Sequence, residues 1–348
     1  MTSQRPSIVV IGGGTGTSVV LDGLKHRDVD LTAVVTAFDS GGSSGRLRAE
    51  FGHLSQGDLR RCLIALAEDS PETEAFRVAS GYRFNGDSSL QGHNLGNLFL
   101  SALTLQHSDI EIAVLMMSRM LRITGQVFPV ALEPRDLCAE LVDGSVLRGE
   151  ATIDLRRKDP PKIKRVYLDQ PVMANPRVLD AITDADVIIL GPGDLYTSII
   201  PNLLADGVAE AIRNSRGHVA YVSNLMTKHG ETDGFHVEDF AREVSSYLGD
   251  IQIDTLLMNT APVPVEVQDA YATVNAEPVT LNSQHSTGCA ARTVGMPLIR
   301  VFRSEDTDEL RVRHDPVLLA HAVMGIVGLT REKQSDTLTG QVNANAAD

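Results

Sequence analysis

Four apolar residues, Ile8 to Ile11, lead without a break into Gly12-Gly13-Gly14-Thr15-Gly16-Thr17 and then into a helical pattern. This succession constrains the fold more than any other feature of the chain. Glycines between a strand and a helix let the backbone turn tightly and approach an anion, while unpaired N–H groups and the helix dipole favour negative charge there. Gly13, Gly14, Thr15 and Gly16 are therefore candidate phosphate contacts, with a tight structural turn as the alternative. The pattern is not a full dinucleotide fingerprint: counted from Gly12 the third glycine falls on Thr17, and from Gly14 on Val19. Asp39, at the end of the next expected strand, stands about 20 residues on, where a ribose-binding acid would sit.

Runs suited to strands alternate with helical patterns along most of the chain. Ser7–Ile11, Leu31–Phe38, Asp186–Leu190, His218–Ser223, Asp254–Met258 and Leu298–Phe302 read as strands, several of them apolar almost throughout. Strands covered by helices on both faces have that character. Thr17–His26, Asp58–Ala67, Leu95–Gln106, Tyr196–Asn214 and Val237–Leu248 read as helices, and Ile110–Leu121 as a buried one. The alternation predicts an α/β fold with a doubly wound, mostly parallel, Rossmann-like sheet and helices on both faces. Residues 123–170 break the rhythm with short alternating runs and an Asp143-Gly144 hairpin signal, which predicts a β-rich insertion within one domain spanning 1–330. The polar stretch 331–348 has little to bury and is expected to be a tail.

Further groups fall at the expected carboxyl edge of the sheet. Asp39-Ser40-Gly41-Gly42-Ser43-Ser44 combines small residues with hydroxyl donors and runs on to Arg46 and Arg48, whose guanidinium forks suit phosphate or carboxylate. A solvated small-residue loop is the plain alternative. Asp58, Arg60 and Arg61 follow Gly57, and Asp58 could equally cap a helix or meet a ligand. Gly92-His93-Asn94-Leu95-Gly96-Asn97 opens a helix that Asn94 can cap, leaving His93 as either a structural or a proton-handling group. In the second half, Gly191-Pro192-Gly193-Asp194-Leu195-Tyr196-Thr197 repeats the strand, glycine and helix-start order, and Asn224 and Asn259 end two later strands.

Charge and cysteines narrow the partners. With 45 acidic against 31 basic residues and a net charge of −14, the chain repels nucleic-acid phosphates and anionic membranes. No apolar run approaches the ~20 residues of a membrane span, and the amino-terminal one is too short for a signal peptide, so a cytoplasmic protein is expected. Cys62, Cys138 and Cys289 are widely spaced and suggest neither a disulfide framework nor a zinc site.

Taken together, the Gly12–Thr17 loop, Asp39–Arg48, Gly57-Asp58-Leu59-Arg60, Gly92–Asn97, Gly191–Pro201 and the Ser223–Gly234 stretch resemble the gluconeogenesis factor family, which is distantly related to 2-phospho-L-lactate transferase. The resemblance implies a bacterial cytoplasmic protein that binds a UDP-sugar such as UDP-N-acetylglucosamine and serves cell shape and growth on gluconeogenic carbon sources. It departs from the family pattern at Ser55-Gln56, where prolines are expected, and at Asn94, where serine is usual. A sensor that binds without turnover is the first expectation. A transferase in which Asp39 or Asp58 holds Mg²⁺ and His93 moves a proton is the second, and an NAD-dependent oxidoreductase the third. A homodimer is expected only as the commonest soluble assembly.

Overall fold

The computed structural model describes residues 5–155, 160–282, 290–304 and 309–345. Its strands are β1 (Ser7–Gly12), β2 (Asp30–Val35), β3 (Gln126–Pro129), β4 (Leu137–Leu141), β5 (Val146–Arg148), β6 (Ile163–Leu168), β7 (Val187–Leu190), β8 (His218–Val222), β9 (Ile253–Asn259), β10 (Ala290–Met296), β11 (Ile299–Arg303) and β12 (Leu310–His314). Seven of them make one parallel sheet in the order β10-β9-β8-β7-β1-β2-β3. The chain winds outward from β1 to β3 and then resumes on the other side at β7, so the direction of winding reverses between β1 and β7. In open α/β sheets ligands bind outside the carboxyl ends of the strands at such a reversal. The Rossmann-like expectation holds.

Helices α1 (Gly14–Leu24), α2 (Gly42–Phe51), α3 (Gly57–Ala65), α4 (Pro71–Gly81), α5 (Leu95–His107) and α6 (Ile110–Leu121) lie between β1 and β3. The sheet separates two cores because side chains alternate across each strand. Ile8 and Val10 join Val20, Leu21 and Leu24 of α1 on one side, while Val9 and Ile11 join Ile188, Leu190 and Tyr221 on the other. Val20, Leu21 and Leu24 recur at helical spacing and are fully buried. Each such side chain contributes about 1.5–3 kcal/mol of burial, which seats α1 and fixes where its amino end points.

Several expectations are corrected. The stretch after Asp39 is helix α2 rather than a loop: Gly42, at φ 54, starts it and Gly52, at φ 71, ends it. Ile110–Leu121 is amphipathic instead of buried, with Ile112, Leu115 and Met120 exposed. The single helix expected over Tyr196–Asn214 is divided into a π-helical turn (Leu195–Ile199) and helices Ile200–Leu203 and Val208–Asn214. The 123–170 region divides as well. Its first run is β3, the parallel edge strand of the main sheet, while β4, β5 and β6 form a separate antiparallel sheet.

At Asp143-Gly144 only Gly144 has positive φ, so the hairpin turn is not type I′. The expected strand at Leu298–Phe302 is β11, which leaves the parallel sheet to pair with β12, and the sheet's last place goes to β10. Helix Pro316–Asn345 carries the backbone through most of the stretch expected as a tail, and residues 346–348 lie outside the described residues, as does Cys289. Cys62 and Cys138 are buried free thiols.

Candidate functional site

The β1–α1 turn sits at the reversal point. Gly14 takes φ 44, a left-handed conformation open to glycine, and a Cβ on Gly16 would stand 2.0 Å from the Pro192 carbonyl oxygen. The turn after β1 and the turn after β7 are thus packed backbone to backbone. Asn202 ties them further, donating from Nδ2 to the Gly12 carbonyl at 3.1 Å.

These two turns, α2, the start of α3 and the insertion's short helix α7 (Glu150–Asp154) surround a cleft of about 420 Å³. Of the residues expected from sequence, Gly13, Gly14, Thr15, Gly16, Asp39, Gly41, Gly42, Ser43, Ser44, Asn97, Gly193, Asp194 and Thr197 line it. Asp58, Arg60 and Arg61 do so too.

The others stand behind the walls. Arg48 turns away and donates to the Arg135 carbonyl and the Asp136 carboxylate, at 2.8 and 2.7 Å, so it braces α2 against the insertion. His93 is buried with Nδ1 3.1 Å from the Ser43 hydroxyl, and burial holds its pKa below the usual histidine range. Asn94 caps α5 as expected, accepting from the Asn97 N–H at 3.3 Å. Ser40 accepts from the Ala151 N–H at 3.0 Å. Asn224 donates to the Gly193 carbonyl at 2.8 Å and accepts from the Tyr221 hydroxyl, bracing the β7 turn from below. Gly191 packs on Ile199 and Tyr221, and buried Tyr196 is held well above its usual pKa by desolvation and by Glu243. Asn259 is used up by Ala261 in its own loop and by the Leu298 N–H after β10.

One wall is basic. Arg60 is buried, donates from Nε to Asn97 Oδ1 at 2.8 Å, and has its pKa pushed down to about 10 by desolvation and by Arg61 and Arg83. Among the described residues neither Arg60 nor Arg83 forms an ion pair; Arg83 donates to the Gly92 carbonyl at 2.8 Å. Arg61 reaches Asp58 only at 3.5 Å. A buried guanidinium group kept outside any ion pair, with exposed Arg61 and Arg83 beside it in the lining, is suited to an anion from outside the chain.

Carboxylates share the lining. Asp39 accepts from the Gly41 N–H at 2.8 Å, Ser44 Oγ at 3.1 Å and Ser55 Oγ at 3.0 Å. Glu150 accepts from the Ser40 N–H at 3.2 Å; burial, then its hydrogen bond to Asp39 and that residue's charge, raise its pKa well above the carboxyl range. Asp58 lies over the glycine turn: a Cβ at Gly13 or Gly14 would come within 2.7 Å of its carboxylate oxygens. Burial, against the opposing pull of Arg61, pushes the Asp58 carboxyl up to about 6. Gln56, rather than Asp58, is the cap residue of α3, and makes no side-chain cap bond.

Besides Asn94, the two other residues that depart from the family pattern are engaged. Ser55 serves Asp39, and Gln56 donates to Thr104 at 2.8 Å and accepts from Ser101 at 3.0 Å, fastening α3 to α5. Arg83, Glu150, Asp154 and Ser198 also line the cleft and were not singled out in the sequence. Glu150 and Asp154 reach it only because the insertion folds back over the crevice, a long-range contact that no local pattern encodes. Arg83 carried a signal, as a cation shortly before the Gly92–Asn97 helix start. A second groove, of about 490 Å³, follows the free edge of β3 between Leu115 and Arg177 and contains none of the glycine turns.

With this geometry in hand, comparison with known proteins is informative. The model of the family "2-phospho-L-lactate transferase CofD" matches residues 8–299. The chain is 40% identical over 328 residues to the "Gluconeogenesis factor" of Bacillus subtilis, covering 93% of this chain and 99% of that one. It is 38% identical over 323 residues to the protein of the same name from Halalkalibacterium halodurans, covering 92% and 96%. A crystal structure of a Bacillus halodurans protein is similar with a TM-score of 0.85 and 37% identity, covering 92% of this chain and all of that one. A second, described as a member of the UPF0052 family, gives 0.84 and 36%, covering 92% of this chain and 99% of that one. Sequence and fold together place the chain in the CofD family, among its gluconeogenesis factors.

Proposed function

We propose that the cleft binds a nucleotide-sugar of the UDP-N-acetylglucosamine kind and that the protein is a regulatory binding protein, serving cell shape during gluconeogenic growth in the cytoplasm. The observation that carries the reading is the polarity of the cleft. Arg60, Arg61 and Arg83 line it together with the amino end of α1, and so do the carboxylates Asp39, Glu150, Asp154 and Asp194. A diphosphate can meet the guanidinium groups and the helix end, and hydroxyl groups of a sugar or ribose can donate to the carboxylates. Among the described residues the site shows no nucleophile, base and orienter in mutual hydrogen-bond contact: His93, the natural proton carrier, lies behind the lining with Nδ1 against the hydroxyl of Ser43.

One observation favours a second reading, an Mg²⁺-dependent transferase. The Asp58 carboxylate lies over the glycine turn, where it would repel a bare phosphate. Mg²⁺ is commonly held by one or two carboxylates together with substrate phosphates, and Asp58 fits that role. Among the described residues no group of three or more acidic, histidine or cysteine side chains is arranged to hold a metal without substrate. Such an ion would neutralise phosphate charge; Asp58 would orient it, and Arg60 would hold the anion.

Thermal unfolding with UDP-N-acetylglucosamine, UDP-glucose, GDP and NAD⁺, each with and without Mg²⁺, separates the readings. A ligand at 100 times its Kd adds about 2.7 kcal/mol. The regulatory reading expects stabilisation by UDP-sugars and no consumption of them. A shift with GDP and Mg²⁺, accompanied by turnover of a phosphate-bearing substrate, supports the transferase instead.

A further inference from the structure

The insertion closes over the cleft through one side chain outside its lining. Lys228, in the loop after β8, places its ammonium 2.7 Å from Asp194 Oδ2 and 2.8 Å from Glu231 Oε1, and also contacts the Asp154 carboxylate. Asp154 and Asp194 accept hydrogen bonds from the ammonium, while Glu231 adds a charge at ion-pair distance. Asp154 ends helix α7 of the insertion, whereas Asp194 belongs to the turn after β7. Both line the cleft, one from the insertion and the other from the main sheet's turn.

The lysine itself cannot drift. Its N–H donates to Thr232 Oγ1 at 2.9 Å, and its carbonyl accepts from Glu231 and Thr232 at 3.0 and 2.9 Å. The preceding residue, Thr227, exchanges two bonds with Glu277, at 2.7 and 2.9 Å. At the other end of α7, Ser40 receives the Ala151 N–H and donates its own N–H to Glu150. Gly149, at φ 91, forms the joint between β5 and α7.

We propose that Lys228 is a positioning residue of the cleft, a clasp that holds α7 against the β7 turn and so sets the separation of the two walls that a ligand meets. The charge count makes the clasp asymmetric. Three carboxylates share one cation, so loss of Lys228 removes an attraction and also leaves Asp154 and Asp194 to repel each other across the opening. Burial lowers the lysine's pKa, but the charges of Glu231, Asp194 and Asp154 outweigh it and keep the ammonium protonated. The effect on a ligand rests on the reading of the cleft given above; the effect on α7 does not.

Hydrogen exchange of the ligand-free protein tests the clasp directly. In Lys228→Met the amides of residues 150–155 should exchange about tenfold faster or more, while those of β1 and β7 keep their protection. Lys228→Arg should restore most of the protection. If the methionine variant does not fold, Asp154→Asn removes the insertion's charge from the clasp while leaving Lys228 its other two partners, and should loosen the same amides. Unchanged exchange at 150–155 in a folded variant, or a uniform loss of protection over the whole sheet, would overturn the proposal in favour of a purely structural ion cluster. In a second arm, UDP-N-acetylglucosamine should dissociate about fivefold faster or more from the variant. Absence of binding to the unmodified protein would count against the ligand reading alone, since the exchange arm decides the clasp without it.

Discussion

Glu150 and Asp39 accept from adjacent backbone N–H groups, those of Ser40 at 3.2 Å and Gly41 at 2.8 Å, so two carboxyl groups from distant parts of the chain meet where the insertion reaches the crevice. Because burial and Asp39 raise the Glu150 pKa, the folded protein holds a proton there that the unfolded chain releases. A raised carboxyl pKa gives stability that is complete below the unfolded value and is lost as pH rises through the folded one. Glu150→Gln, which keeps a donor facing Asp39, should therefore stabilise the protein above pH 7, by at least about 1 kcal/mol, and have little effect near pH 4. Urea unfolding across pH 4 to 9 measures this. Parallel curves for the variant and the unmodified protein would refute the shared proton.

If the cleft binds a phosphate-bearing ligand as proposed, Asp58 should make that binding depend on pH. Its carboxyl, raised to about 6, is largely ionised at neutral pH and faces the glycine turn. Without divalent metal, UDP-N-acetylglucosamine should bind more tightly as pH falls from 7 to 5, and Asp58→Asn should remove that dependence. Fluorescence or calorimetric titration at several pH values decides it, and an equally steep pH dependence in the variant would exclude Asp58 as the source.

Gly16→Ala tests the packing of the two turns. The new Cβ would lie 2.0 Å from backbone that cannot rotate away, so the main chain must shift. A loss of about 3 kcal/mol in urea unfolding is expected; a change within about 0.5 kcal/mol would mean that the turns separate easily.

Arg48→Ala should separate stability from binding. The guanidinium spans α2 and the insertion through Asp136 and Arg135, so its loss should cost roughly 1–3 kcal/mol and change ligand affinity by less than about twofold. A large affinity loss with unchanged stability would return Arg48 to the ligand contacts that its place in the sequence suggests.

Legibility in the sequence followed the range of the interactions. The Ile8–Gly16 succession exposed β1, its turn and α1, because strand, glycine and helix signals there are local. Asn94 was readable as a cap for the same reason. Arg48 was misleading: its sequence neighbours are cleft residues, but a helical period turns its side chain to the other face of α2. The main-sheet role of β3 was hidden because an edge strand of four residues at the start of an irregular region carries the same alternation as an inserted hairpin. Lys228, Asp154 and Glu150 were invisible as a group, since only the return of the insertion over the crevice brings them together.

Arg60, which forms no ion pair among the described residues, is the guanidinium proposed to hold a ligand's phosphates at the strand reversal. Titration calorimetry of UDP-N-acetylglucosamine against the unmodified protein and Arg60→Gln tests this most directly. The account predicts binding to the first, and a loss in the second of about tenfold or more, as expected for removal of a charge-assisted contact, with the fold retained by circular dichroism. Equal affinities in the two proteins would contradict it.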